Sequence, residues 1–99
     1  MLDATKQDSL LRGIVLKTLY DINSMSTLYL RIDVVEGLCS VKHNDFERVV
    51  EQLVNTKLID EEFQHSFILH DNINAIRITG YGVDVVNNVV EPPIQIEYE

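Results

Sequence analysis

At Leu58 the spacing of apolar residues changes, and that change restricts the possible folds more than any other feature. Up to Leu53, apolar side chains recur every three or four residues, the period that lines one face of a helix. From Leu58 they alternate with polar ones, the period of a half-buried strand. A chain of 99 residues has room for one core, so the helical and the alternating parts have to share it. The expected class is therefore α+β, with helices packed on one side of a small hairpin.

The elements can be placed from this pattern. Leu10, Leu11, Ile14, Val15, Leu19 and Ile22 predict a first helix over about residues 8–22, with Asp8 or Ser9 accepting a backbone N–H at its start. Gly13 lies inside it, where it costs about 1 kcal/mol relative to Ala and marks close packing against another helix. "NSMS" (23–26) breaks the pattern, and "TLY" (27–29) is short and β-prone. "LRIDVVEGLC" (30–39) predicts a brief second helix with Val34, Val35 and Leu38 inward. After a turn over Ser40 to His43, Asn44 with Glu47 three residues later resembles a capping box that opens a third helix. Phe46, Val49, Val50 and Leu53 form that helix's core stripe.

"LIDEEFQHSFILH" and "NAIRIT" then predict two strands joined by a turn around "HDNIN" (70–74). Thr79 is placed to cap a last helix carrying Val83, Val86, Val89 and Val90, and Pro92 and Pro93 forbid its continuation. The domain is expected to span residues 1–90. The tail, 91–99, contains the alternating "IQIEYE", for which two roles stay open: adding to a sheet edge, or fraying as an end. If it is ordered, Ile94, Ile96 and Tyr98 should be its buried face.

Two short motifs in this order resemble the winged-helix superfamily, most nearly small MarR- or PadR-type regulators. "LVNTKLI" (53–59) is similar to the family's Leu, three residues, Gly, Leu, Ile, which ends the recognition helix and begins the wing. "ITGYG" (78–82) is similar to the Ile/Leu-Thr-x-x-Gly that leaves the wing, and the distance from Ile59 to Ile78 suits one hairpin. The resemblance implies a three-helix core, a two-stranded wing, a short C-terminal helix, and a transcriptional regulator that sets its third helix in the major groove of double-stranded DNA. It also implies a homodimer, although the flanks that would build one are short here. One position departs from the pattern: where the family has Gly in a left-handed conformation, this chain has Lys57, with Asn55 as the other candidate for that conformation.

With Phe46, Val50 and Leu53 inward, a helical wheel turns Asn44, Arg48, Glu51 and Asn55 outward, with Gln52 and Asp45 to one side. The candidate DNA-binding residues are Lys42, His43, Asn44, Arg48, Gln52 and Asn55, whose side chains include those that pair with guanine and adenine edges. The charge balance opposes this use. The chain carries a net charge of −8. Residues 59–99 hold eight acids against Arg77 alone, and the wing begins Asp60, Glu61, Glu62 and turns through His70 and Asp71, where phosphate binding wants Lys or Arg. The alternative is an acidic interaction module that docks on a basic protein through Asp60, Glu61, Glu62, Asp71, Glu91, Glu97 and Glu99. In one form it would imitate nucleic acid, as suits a phage-type accessory protein or DNA-mimic inhibitor.

No enzyme is expected. His43, His65 and His70 lack the i, i+4 helical spacing of a zinc pair, so neither a metal nor another cofactor is implied. "GYG" (80–82) lacks the Lys of a phosphate loop, and Cys39 reads as a small buried hydrophobe. No apolar run approaches the roughly 18–20 residues of a membrane span, so no membrane partner is expected. "MLDATKQDS" lacks the basic flank and apolar stretch of a signal peptide, and one cysteine allows no internal disulfide. The expected location is the cytoplasm.

Overall fold

A computed structural model describes residues 4–24, 28–66 and 71–98, with the backbone alone for 4–6, 64–66 and 71–73. The order is α1 (Ala4–Asn23), β1 (Leu30–Arg31), α2 (Ile32–Cys39), α3 (His43–Asn55), β2 (Ile59–Ser66), β3 (Asp71–Ile78) and α4 (Gly80–Val86). The strands form an open antiparallel sheet in the order β1-β3-β2, so the described residues form an α+β fold of four helices and three strands. Among them, no helix is long and apolar enough to cross a membrane.

The core lies between the helices and one face of the sheet. Register pairs Ile59 with Ile78 and Glu61 with Ile76, and alternation puts these residues, with Leu30, on the same face. Ile59, Ile76 and Ile78 meet Val15, Leu16 and Leu19 of α1, Val35 of α2 and Phe46, Val49, Val50 and Leu53 of α3 in one buried cluster. The expected core stripe of α3 is thus the observed one.

Several boundaries and orientations differ from expectation. Helix α1 starts at Ala4, so Asp8 and Ser9 lie within it and cap nothing; Ser9 is buried and Ile22 is 44% exposed. Residues 30–31 pair with β3 as a strand, and α2 begins only at Ile32. That start sets its phase: Ile32, Val35 and Cys39 turn inward, while Val34 and Leu38 are 53% and 59% exposed. The N-cap of α3 is Lys42 with no side-chain bond, so the box expected of Asn44 and Glu47 does not form. Residues 71–74 belong to β3, so the connection falls on 67–70, outside the described residues.

Lys57 occupies the left-handed position with φ 65°, and Asn55 remains helical. The N–H of Leu58 bonds the Leu53 carbonyl and that of Lys57 bonds the Val54 carbonyl, the paired closure that ends a helix with one left-handed residue. Thr79 caps α4 as expected by accepting from the Gly82 N–H, and its own hydroxyl donates to the Lys57 carbonyl. A Cβ at Gly82 would overlap the Leu58 carbonyl oxygen, so this residue fastens α4 to the start of β2. Helix α4 stops at Val86 because Asn88, φ 61°, repeats the same closure. Val89 and Val90 therefore lie beyond it and are exposed; within it Val85 is buried, and the expected Val83 and Val86 pack partly buried against the core.

Among the described residues of the tail, 91–98, none belongs to a strand. The tail lies along α1, where the Glu97 N–H bonds the Ser9 carbonyl and Ile94 and Ile96 pack on the core. Tyr98 is 42% exposed, against expectation. A Cβ at Gly13 would overlap the Glu97 carbonyl oxygen, so the close packing marked by this glycine is with the tail and not with a helix.

Candidate functional site on the third helix

The outward residues of α3 are those the wheel selects: Asn44, Arg48, Glu51 and Asn55 are exposed, as is Lys42 just before the helix. Of their charges, that of Arg48 is already engaged on the side that faces α1. The Arg48 guanidinium donates through Nη2 to Asp8 Oδ1 at 2.7 Å and through Nε to Asp8 Oδ2 at 3.2 Å, and lies 3.1 Å from Asp45 Oδ1. The hydrogen bond from Arg48 holds the Asp8 carboxyl below its ordinary range. Gln52 donates to Asp8 Oδ2 at 3.3 Å and accepts from Arg12 Nη1 at 2.6 Å.

Arg12 is buried at the centre of this network. Its Nε donates to the Gln95 carbonyl at 2.8 Å and its Nη2 to Ser9 Oγ at 3.3 Å. Burial lowers its pKa, and the Asp8 charge opposes that change. Ser9, Arg12 and Leu16, at helical spacing, show that the inward face of α1 is partly polar. A search for apolar residues alone could not find it.

His43 stands between two acids, with Nδ1 2.8 Å from Glu36 of α2 and Nε2 3.1 Å from Glu47. The contact with Glu36 raises its pKa most, and Glu47 adds to it. Among the described side chains, Lys42, Lys57 and the hydrogen-bonded Arg12 are the cations that make no ion pair.

The acids of the hairpin do not form one stripe. Asp60 and Glu62 face away from α3; Asp60 pairs with Arg77 at 3.4 Å, and the Arg77 guanidinium stacks 4.4 Å from the centre of the Tyr29 ring. Glu61 points the other way, into a groove of about 400 Å³ between α3 and the sheet. The apolar lining of this groove comes from Ile32, Val50 and Val54, and its carboxylates from Glu47, Glu51 and Glu61, with Asn74 on the strand side. Phe63 follows Glu61 on the same sheet face and is 69% exposed. Sequence reasoning counted Glu61 with the wing and Glu51 with the helix; only the strand's alternation laid over the α3 wheel brings them together.

Glu91 is exposed and lies with Glu97 in the tail, away from this groove. The side chain of Asp71, the whole of Glu99, and the histidine ring positions at 65 and 70 lie outside what is described. Among the described residues, no group of three or more His, Cys, Asp or Glu could hold a metal ion. Cys39 is buried, and that burial pushes its thiol pKa up, leaving it a neutral apolar group. Compared with known family models, curated proteins and solved structures, the chain matches none.

Proposed function

We propose that the chain is a cytoplasmic, non-enzymatic winged-helix scaffold used as a protein-interaction module whose partner is basic. Three features support the winged-helix part: the element order, the sheet order β1-β3-β2, and the closure of α3 by Lys57 and of the hairpin by Thr79. One observation carries the choice of function. The cations on the exposed part of α3 are satisfied within the molecule, Arg48 by Asp8 and Asp45 and His43 by Glu36 and Glu47. DNA affinity depends mainly on cations free to displace counterions from phosphates, and here three carboxylates line the groove beside the same helix.

A second reading, a DNA-binding regulator acting as a dimer, draws on Lys42 and Lys57 at the two ends of α3 and on exposed Asn44 and Asn55 between them. Binding to random-sequence duplex DNA at about 50 mM and 200 mM salt separates the two. The interaction module shows no binding at either concentration. Salt-sensitive binding that Arg48→Ala weakens would overturn it in favour of the regulator.

A further inference from the structure

We infer that the groove between α3 and the β2–β3 hairpin receives a basic, amphipathic segment of a partner protein. This rests on the interaction reading and gives it a place and a ligand chemistry. The groove has two kinds of surface, and one occupant satisfies both. Ile32, Val50 and Val54 offer apolar contact, while Glu47, Glu51 and Glu61 place negative charge around it. Glu51 and Glu61 make no ion pair among the described residues, and Glu47 meets only His43.

Carboxylates gathered on a concave, partly apolar surface raise the local concentration of cations and repel phosphates. A Lys or Arg side chain fits such a place because its aliphatic stem covers apolar surface while its head stays among the acids. Arginine fits best, since its planar fork can bond two carboxylates at once. A groove of about 400 Å³ takes a few side chains and not a folded domain, so the ligand is a segment. Phe63, exposed on the same sheet face, extends the apolar surface and offers a ring to a further cation.

The test uses the full chain and a fluorescent peptide alternating Arg and Leu, read by anisotropy, with a Glu–Leu peptide and spermine as comparisons. The Arg–Leu peptide is expected to bind, and the Glu–Leu peptide is not. Spermine, which carries charge without apolar side chains, should bind at least about tenfold more weakly. The double variant Glu51→Gln/Glu61→Gln should lose about tenfold in affinity for the Arg–Leu peptide, while Glu62→Gln/Glu91→Gln, outside the groove, should keep it. Amide shifts of the wild-type protein on peptide addition should centre on Val54, Glu61 and Asn74, a readout independent of whether any variant folds. If shifts fall elsewhere, or the groove variant binds like wild type, the groove assignment is overturned. In that case, loss in the Glu62/Glu91 variant would leave the broader interaction reading standing. Spermine binding as well as the peptide, or no peptide binding at all, also overturns the inference, and the DNA experiment then decides the broader reading by itself.

Discussion

Helix α3 has two polar flanks built from similar residues, and they are treated in opposite ways. On the flank toward α1, Asp8, Arg12, Arg48 and Gln52 form a connected set in which each charge meets a partner, and Arg12 extends it to the tail. On the flank toward the hairpin, Glu47, Glu51 and Glu61 share a groove with one another and with partly buried apolar side chains. The helix itself does not cause the difference. On one side α1 brings an acid against cations; on the other β2 brings an acid against acids. The first arrangement holds elements together, whereas the second costs some stability through like-charge repulsion and leaves a face to which a cation can add. Substitutions on the two flanks should therefore act on different observables.

The largest effect is expected at Arg12. Replacing it by Ala removes its part-buried bonds to Gln52 and the Gln95 carbonyl and its buried bond to Ser9, and losing bonds of this kind costs about 2–4 kcal/mol. In a chain of this size that lowers the melting temperature by roughly 10 °C or more, measurable by circular dichroism. A loss below about 0.5 kcal/mol would make the closed flank as inessential to stability as the open one. Gly13→Ala comes next. Its Cβ would meet backbone at Glu97, so the tail must shift and Ile94 and Ile96 lose contact, at about 1–3 kcal/mol. Easier proteolysis of the tail in this variant would confirm the cause.

Asp8→Asn tests the same flank through pH. The native pKa of Asp8 lies below its ordinary 3.8, so the ionised form stabilises the fold above that value and the contribution disappears as pH falls through the native pKa. Arg48 is 46% exposed, so solvent screens the pair and the loss at neutral pH should be about 1 kcal/mol or less. Urea denaturation should show wild type more stable than the variant at neutral pH, with the gap closing in acid. A gap that persists there would mean the contact is not ionic.

Much of this arrangement could be read from the sequence, and the exceptions have identifiable causes. Phe46, Val49, Val50 and Leu53, the strand alternation after Leu58, and the Thr79 cap depend on local periodicity or a single turn, which nearby residues decide. The phase of α2 escaped because it is set by β1 pairing with β3, a contact between residues far apart in sequence. The end of α4 escaped because Asn88 stops it with a left-handed residue before the prolines are reached. The closed flank depends on Asp8, Arg48 and Gln95 meeting across most of the chain, and nothing local reports that. The open groove needs two correct periods laid over each other in space, so each glutamate was visible and their meeting was not.

On the open flank, Glu51→Gln and Glu61→Gln should change stability by no more than about 0.5 kcal/mol, with the sign toward greater stability because repulsion is relieved. A thermal melt settles this. A clear loss would mean these acids serve the fold, and the contrast between the flanks would fail.

The smallest effect concerns His43, which joins α2 to the acid edge of the groove. Glu36 and Glu47 raise its pKa above the ordinary 6.5. The stabilising charge is therefore fully present below about pH 6.5 and is lost as pH rises through the native value. In NMR titrations of the His43 ring, Glu36→Gln should lower the pKa more than Glu47→Gln, since the Glu36 contact is the shorter and the larger influence. The protonated ring also meets Glu47, so the groove should hold the Arg–Leu peptide slightly less well at pH 6 than at pH 8. His43→Gln should remove that difference, and an unchanged pH dependence in the variant would place the titrating group elsewhere.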